Sequence, residues 1–264
     1  MVDFFAYVLK IFNAKMQVPR AFGLFHLSFF TLSVTLGFFL FSIKPFPSEK
    51  FVKKLLLMTS LVVIAFEIYK QIVFSFTYFE GRVHFSYAWC FFPFQFCSTP
   101  MYAGLFAALT KNKKIHNALC AFLATYSFAA GIGVMLFPHE VFTNVIGVNV
   151  QTMVCHGSMV TVGIFLLCSG YVPANKKTFL RAMPVFLSFI ALAVASNEVA
   201  HRIGIEDFNM FFLSPYEKPY LPVFSKFQQA VPFGLSILLY AVGFTILAFG
   251  IILICRVIKH LSKS

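Results

Sequence analysis

The apolar residues of this chain fall in long unbroken runs, and nothing else in the sequence constrains the fold as strongly. Residues 21–43, 55–79, 87–109, 115–137, 150–172, 179–202 and 231–257 are mostly apolar throughout. Each has the roughly 20 residues that a helix needs to cross a bilayer. The runs are continuous rather than alternating, so a β-barrel is excluded and helices are the remaining way to span. Composition agrees. Of 264 residues, 59% are hydrophobic and 11% charged, against roughly 45–50% and about 25% in soluble domains. Mean hydropathy is +0.84. A soluble enzyme, a disordered chain and a secreted disulfide scaffold are all inconsistent with these values. The net charge of +12 sits in short basic clusters between the apolar runs. That pattern sorts cations to one side of a membrane and argues against a nucleic-acid partner.

The expected architecture is an all-α, polytopic bundle of about seven transmembrane helices in the cell membrane. Residues 21–264 would form one transmembrane domain and residues 1–20 an interfacial amphipathic helix. In the latter, Phe4, Phe5, Val8, Leu9 and Phe12 recur at helical spacing with Lys10 and Lys15 off the stripe. Thirteen basic residues, from Lys44 to Lys54, Lys111 to Lys114, Lys176 to Arg181 and Arg256 to Lys263, fall on one side. Seven, including Arg20, Arg82, Arg202, Lys218 and Lys226, fall on the other. The richer side is expected to be cytoplasmic, with the N-terminus outside and the C-terminus inside. The first run is too long for a signal-peptide core and is read as retained. Six cysteines lie within or beside apolar runs and imply no disulfide framework.

Polar residues inside the runs are costly, and their depth is informative. Under this topology Glu67, Lys70 and Gln71 lie in the outer half of the second span. Gln95, Cys97 and Ser98 lie in that of the third, Cys155, His156 and Ser158 in that of the fifth, and Asn197, Glu198, His201 and Arg202 at the outer end of the sixth. Helical spacing puts Glu67 with Gln71, Asn197 with His201, and Gln95 with Ser98 on shared faces. Pro93 and Pro100 flank Cys97 and are expected to kink the third helix and free carbonyls there. One polar cavity opening toward the outer leaflet is expected.

A cysteine and a histidine at one level allow acyl chemistry: a thiolate attacks a carbonyl and an imidazole carries the proton. Bland alternatives stand beside this. A cysteine in an apolar helix is usually a small hydrophobe. Glu67 and Lys70 can simply pair, as can Glu198 and Arg202. His26 and His116 lie near span ends, where water would reach them. A zinc site of Cys97, Cys155 and His156 is the weaker chemical option, because the spacing fits no structural zinc pattern.

The stretch from Trp89 to Leu105, Trp-Cys-Phe-Phe-Pro-Phe-Gln-Phe-Cys-Ser-Thr-Pro-Met-Tyr-Ala-Gly-Leu, resembles the Leu-Pro-Leu-His/Gln-Leu-Cys-Ser signature of bacterial YwaF-type integral membrane proteins. Their eukaryotic relatives are multipass acyltransferases acting on glycerophospholipids. Glu67 in mid-span, Phe137-Pro138, His156-Gly157, Asn197 and the stretch from Asn209 to Ser214 match in order, over roughly Lys54 to the C-terminus. Met210 stands where the family has tyrosine, and the N-terminal helix has no counterpart. The resemblance implies a cysteine nucleophile at Cys97, a catalytic histidine at His156, and acyl transfer through a thioester from a glycerophospholipid donor to a lysolipid acceptor, without cofactor or metal. Gln95, Ser98 or Asn197 would donate to the oxyanion, with Glu67, His201 and Asn209 in support. If water is the acceptor, the chain is a thiol-dependent lipid hydrolase. The non-enzymatic alternatives are a transporter or permease component, with Glu67, Lys70 and His201 as an ion relay, and a scaffold whose polar layer only locks packing.

Overall fold

The computed structural model describes residues 2–138, 141–217 and 230–261. Lys218, Lys226 and Lys263, used above for orientation, lie outside them. The described chain is helical apart from one short hairpin. In order it runs α1 (Val2–Phe12), α2 (Leu24–Ile43), α3 (Glu49–Ser75), β1 (Phe76–Phe79), β2 (Arg82–Phe85), α4 (Thr99–Leu109), α5 (Lys113–Leu136), α6 (Ile146–Cys168), α7 (Lys176–Arg202) and α8 (Phe233–Leu261).

Local signals start several of these helices. Ser48 accepts from Phe51 N, with Glu49 in the first turn of α3. Asn112 accepts from Lys114 N and Ile115 N at the start of α5. Asn175 accepts from Thr178 N at the start of α7. Each satisfies amide donors that have no partner inside the helix. The hairpin turns at Glu80-Gly81, both at positive φ (49° and 74°), as a two-residue primed turn requires.

Five helices, α2, α5, α6, α7 and α8, are long and apolar enough to cross a membrane. Five of the expected seven spans thus have such a helix. The expected second span, 55–79, lies in α3 up to Ser75, and its last four residues form β1. The expected third never becomes one helix. A single 3₁₀ turn at Trp89–Phe91 is followed by irregular backbone, and only the 11 residues of α4 are helical. Pro93 and Pro100 thus bound a break rather than a kink.

α6 is the central element: 78% of its most apolar stretch is buried, against 17% for α2 and for α8. Close approach to its neighbours depends on small residues. A side chain at Gly157 would overlap Ser33 Oγ of α2, and one at Gly163 would come within 2.6 Å of Phe128 Cβ of α5. α3 runs antiparallel to α6, with Glu67 beside Gln151 and Val63 packed with Cys155. α1 is docked on this body through a Phe12–Tyr69 ring contact, and Tyr69 Oη donates to Phe12 O at 2.6 Å. His26 and His116, expected to be wetted, are fully buried. His116 bridges Ala107 O (2.8 Å) and Tyr171 Oη (2.7 Å), tying the α4–α5 turn to the one after α6.

Candidate functional site

The polar residues expected at one level divide into three groups. The first is a buried charge cluster on α3. Lys70 Nζ lies 2.7 Å from Glu67 Oε1, and both side chains are largely buried. Gln71 Nε2 donates to the same carboxylate at 2.9 Å, and Gln151 Nε2 of α6 donates to Glu67 Oε2 at 3.3 Å. Tyr87 Oη donates to Gln71 Oε1 at 2.8 Å. The bland pairing of Glu67 with Lys70 is thus present, inside a wider network that satisfies the carboxylate from two helices.

The second group clamps a loop. Gln95 Nε2 donates to Asn209 O at 2.8 Å and its Oε1 accepts from Phe211 N at 2.9 Å. Asn197 Nδ2 donates to Met210 O at 3.0 Å and its Oδ1 accepts from Met210 N at 2.7 Å. Asn209 Oδ1 accepts from Ser214 N. Both amides are spent on backbone, so Gln95 and Asn197 hold the 209–214 loop rather than stand free as oxyanion donors. The clamp explains how Phe211 and Phe212 keep φ near +59°, a region costly for side-chain-bearing residues. His201, four residues from buried Asn197, is exposed and stacks on Tyr216 with ring centroids 3.5 Å apart. It belongs with the exposed Glu198–Arg202 pair, away from the other two groups.

The third group surrounds Cys97. The irregular segment before α4 runs through the bundle, where an unpaired carbonyl costs several kcal/mol. Four of its carbonyls are answered by side chains. Gln71 Nε2 donates to Phe91 O at 2.6 Å, Tyr102 Oη to Pro93 O at 2.8 Å, Thr99 Oγ1 to Phe96 O at 2.8 Å, and the Cys155 thiol to Cys97 O at 3.3 Å. The expectation that freed carbonyls would line a cavity is replaced by this satisfied backbone. Ser98 is buried and stands at the N-cap of α4 without a side-chain capping bond.

Cys97 is partly exposed and lines a cavity between α3, α4, α5 and α6, whose walls include Ser60, Ser127, Cys155 and Ser158. The cavity volume is about 20 Å³, room for one water-sized occupant. Ser127 closes a π-helical turn, Leu123–Ser127, inside α5, and its buried Oγ has no hydrogen-bond partner. Such turns and such orphaned hydroxyls concentrate at functional sites. Glu67 and Lys70 lie within electrostatic reach of the Cys97 and Cys155 thiols, and Lys70 also of His156.

His156 is not among the residues that line this cavity. Successive helix positions are about 100° apart, so when Cys155 faces α3 and α4, His156 turns away from them. Its Nδ1 lies 2.8 Å from Thr152 O. A carbonyl only accepts, so Nδ1 carries the proton and Nε2 keeps its lone pair. No hydrogen bond joins Cys97 to His156. The alternation Gln151, Cys155, Ser158 is a helical signal for the face turned to α3, and it identifies Gln151 as a partner for Glu67 that the reading by depth had passed over. Among the described residues no cluster of three or more His, Cys, Asp or Glu side chains forms a metal site, so the zinc option has no geometry behind it.

No family model, no curated protein and no solved structure matches this chain.

Proposed function

We propose that this chain is a multipass acyltransferase of the cell membrane, N-terminus outside and C-terminus cytoplasmic, that moves a fatty acyl chain between glycerophospholipids through a thioester on Cys97. The observation that carries the proposal is the placement of that thiol. The Cys97 residue is partly exposed, lines a cavity just before α4, and lies near the Glu67–Lys70 pair. The resemblance around residues 89–105 points to the same sulfur.

In the proposed reaction the Cys97 sulfur adds to the carbonyl carbon of a glycerophospholipid ester. The ester C–O bond breaks, the lysolipid leaves with the proton taken from the thiol, and the acyl group remains as a thioester. A second lysolipid hydroxyl attacks that thioester, and the sulfur departs. With water as acceptor the outcome is hydrolysis. The small cavity admits the reacting carbonyl, while the acyl chain stays in lipid along the apolar outer faces. His156 Nε2 is assigned as proton carrier. Because no hydrogen bond joins it to Cys97 in the free chain, the two must close on one another when the ester enters, as catalytic contacts often do. Glu67 is the competing proton acceptor.

Acyl exchange between labelled lysolipid and phospholipid, measured with purified protein in vesicles, tests this. Cys97→Ser and His156→Ala are expected to abolish exchange. Exchange that survives Cys97→Ser overturns the proposal; exchange that survives His156→Ala but not Glu67→Gln moves the base to Glu67. The broken third segment and the buried ion pair are features that ion pathways also use. They favour a permease as the second reading, which proton flux abolished by Glu67→Gln would support.

A further inference from the structure

The cavity beside Cys97 carries a feature that acyl transfer does not use. Two of its other wall residues are methionines, so four sulfur-bearing residues line one small space: Cys97 just before α4, Met101 in its first turn, and Cys155 and Met159 of α6. Cys155 and Met159 are four apart on a continuous helix and share a face. Met101 and Cys155 pack against each other in one buried cluster with Val63. Met101, Cys155 and Met159 are 5%, 4% and 2% exposed. No carboxylate or imidazole lines the cavity; its oxygen donors are hydroxyls, among them the buried and unpartnered Ser127 Oγ.

We propose that this cavity binds a single Cu(I) ion on the sulfurs of Cys97, Met101, Cys155 and Met159. Thiolate and thioether ligands are soft and select Cu(I), whereas Mg²⁺ and Ca²⁺ need several oxygen ligands and Mg²⁺ keeps waters for which this space has no room. The volume of about 20 Å³ in this partly open cavity suits one dehydrated ion. On binding, each cysteine loses its thiol proton to solution and forms a Cu–S bond. The Cys155 thiol gives up its hydrogen bond to Cys97 O, and copper stays Cu(I), so no electron moves. Two thiolates and one monovalent cation leave the site with one negative charge, and the Lys70 ammonium lies within electrostatic reach of both cysteines. This site stands independently of the acyl-transfer proposal. Because metal and acyl group would compete for the Cys97 sulfur, Cu(I) is expected to block acylation.

The test is an anaerobic titration of the purified full-length protein with Cu(I) against the chromogenic chelator bicinchoninate, followed by copper-edge X-ray absorption. The expected result is one ion per chain with a sulfur-only shell, lost in Cys155→Ser. The size-conserving double variant Met101→Leu/Met159→Leu should weaken binding by roughly tenfold or more. The triple variant Cys90→Ser/Cys168→Ser/Cys255→Ser, which changes cysteines outside the cavity, should bind as the parent does. If Cys155→Ser does not elute as a folded species, the methionine variant decides. Failure to retain Cu(I), parental affinity in the methionine variant, or loss of the ion in the triple variant overturns the site. Acylation of Cys97 in metal-free protein is scored separately, so either proposal can fail alone.

Discussion

Replacing Asn197 by leucine tests the clamp on the 209–214 loop. The Asn197 amide makes two hydrogen bonds to the N–H and C=O of Met210, at 2.7 and 3.0 Å, and both residues are at most 1% exposed. Leucine has a similar volume and leaves the Met210 N–H buried without a partner, while its C=O keeps the bond from Leu213 N at 3.1 Å. One orphaned group costs about 1–3 kcal/mol. The positive φ of Phe211 and Phe212 makes this loop costly to hold, at about 1–2 kcal/mol per residue. Without the clamp it has reason to relax. At roughly 2–4 °C per kcal/mol for a chain of this size, a mid-range loss of about 2 kcal/mol lowers Tm by about 4–8 °C. Trp89, the single tryptophan, has its ring centroid 6.2 Å from that of Phe208 beside the loop. Its emission during heating in detergent is therefore a local probe. Ser196→Ala, one residue away and bonded only to its own helix, should leave Tm within the small range of ordinary surface substitutions. A Tm for Asn197→Leu equal to that of Ser196→Ala would refute the reasoning.

Three further outcomes are expected. Gly163→Ala drives a methyl group into the Phe128 ring; overpacking costs typically about 1–3 kcal/mol, read as a lowered melting temperature. Lys70→Met leaves Glu67 buried without its cation and should destabilise by about 3–5 kcal/mol, while Lys70→Met/Glu67→Gln recovers most of it; melting curves of the two variants decide. Glu80→Gly relieves a positive φ of 49° on a residue with a side chain, so it should leave stability unchanged or raise it by up to about 1 kcal/mol.

The spans were legible where one face or all faces of a helix are apolar. The first run ended at Ile43 and the sixth at Arg202, as α2 and α7 do. The third was misread because two prolines in an apolar run look like a kink. The full break is stable only because Gln71, Tyr102, Thr99 and Cys155 answer its carbonyls, and those contacts are tertiary. The hairpin was absorbed into the second span because Phe-Thr-Tyr-Phe is as apolar as a helix end, although Glu80-Gly81 is a turn signal. Depth along the helices singled out Glu67, Gln71, Gln95 and Asn197, which the structure places in two hydrogen-bonded groups. It could not say which neighbour each faces, since one residue shifts direction by about 100°. That is why Cys155 rather than His156 lines the cavity with Cys97, and why His201 is exposed while Asn197 is buried.

The role of Cys97 is tested most directly by the mass of its own peptide after metal-free protein has been incubated with glycerophospholipid and quenched with acid. The account predicts an added fatty acyl group on Cys97, removed by neutral hydroxylamine and present on no other cysteine. An unmodified Cys97 peptide, or the same adduct spread over Cys90, Cys168 and Cys255, would contradict it.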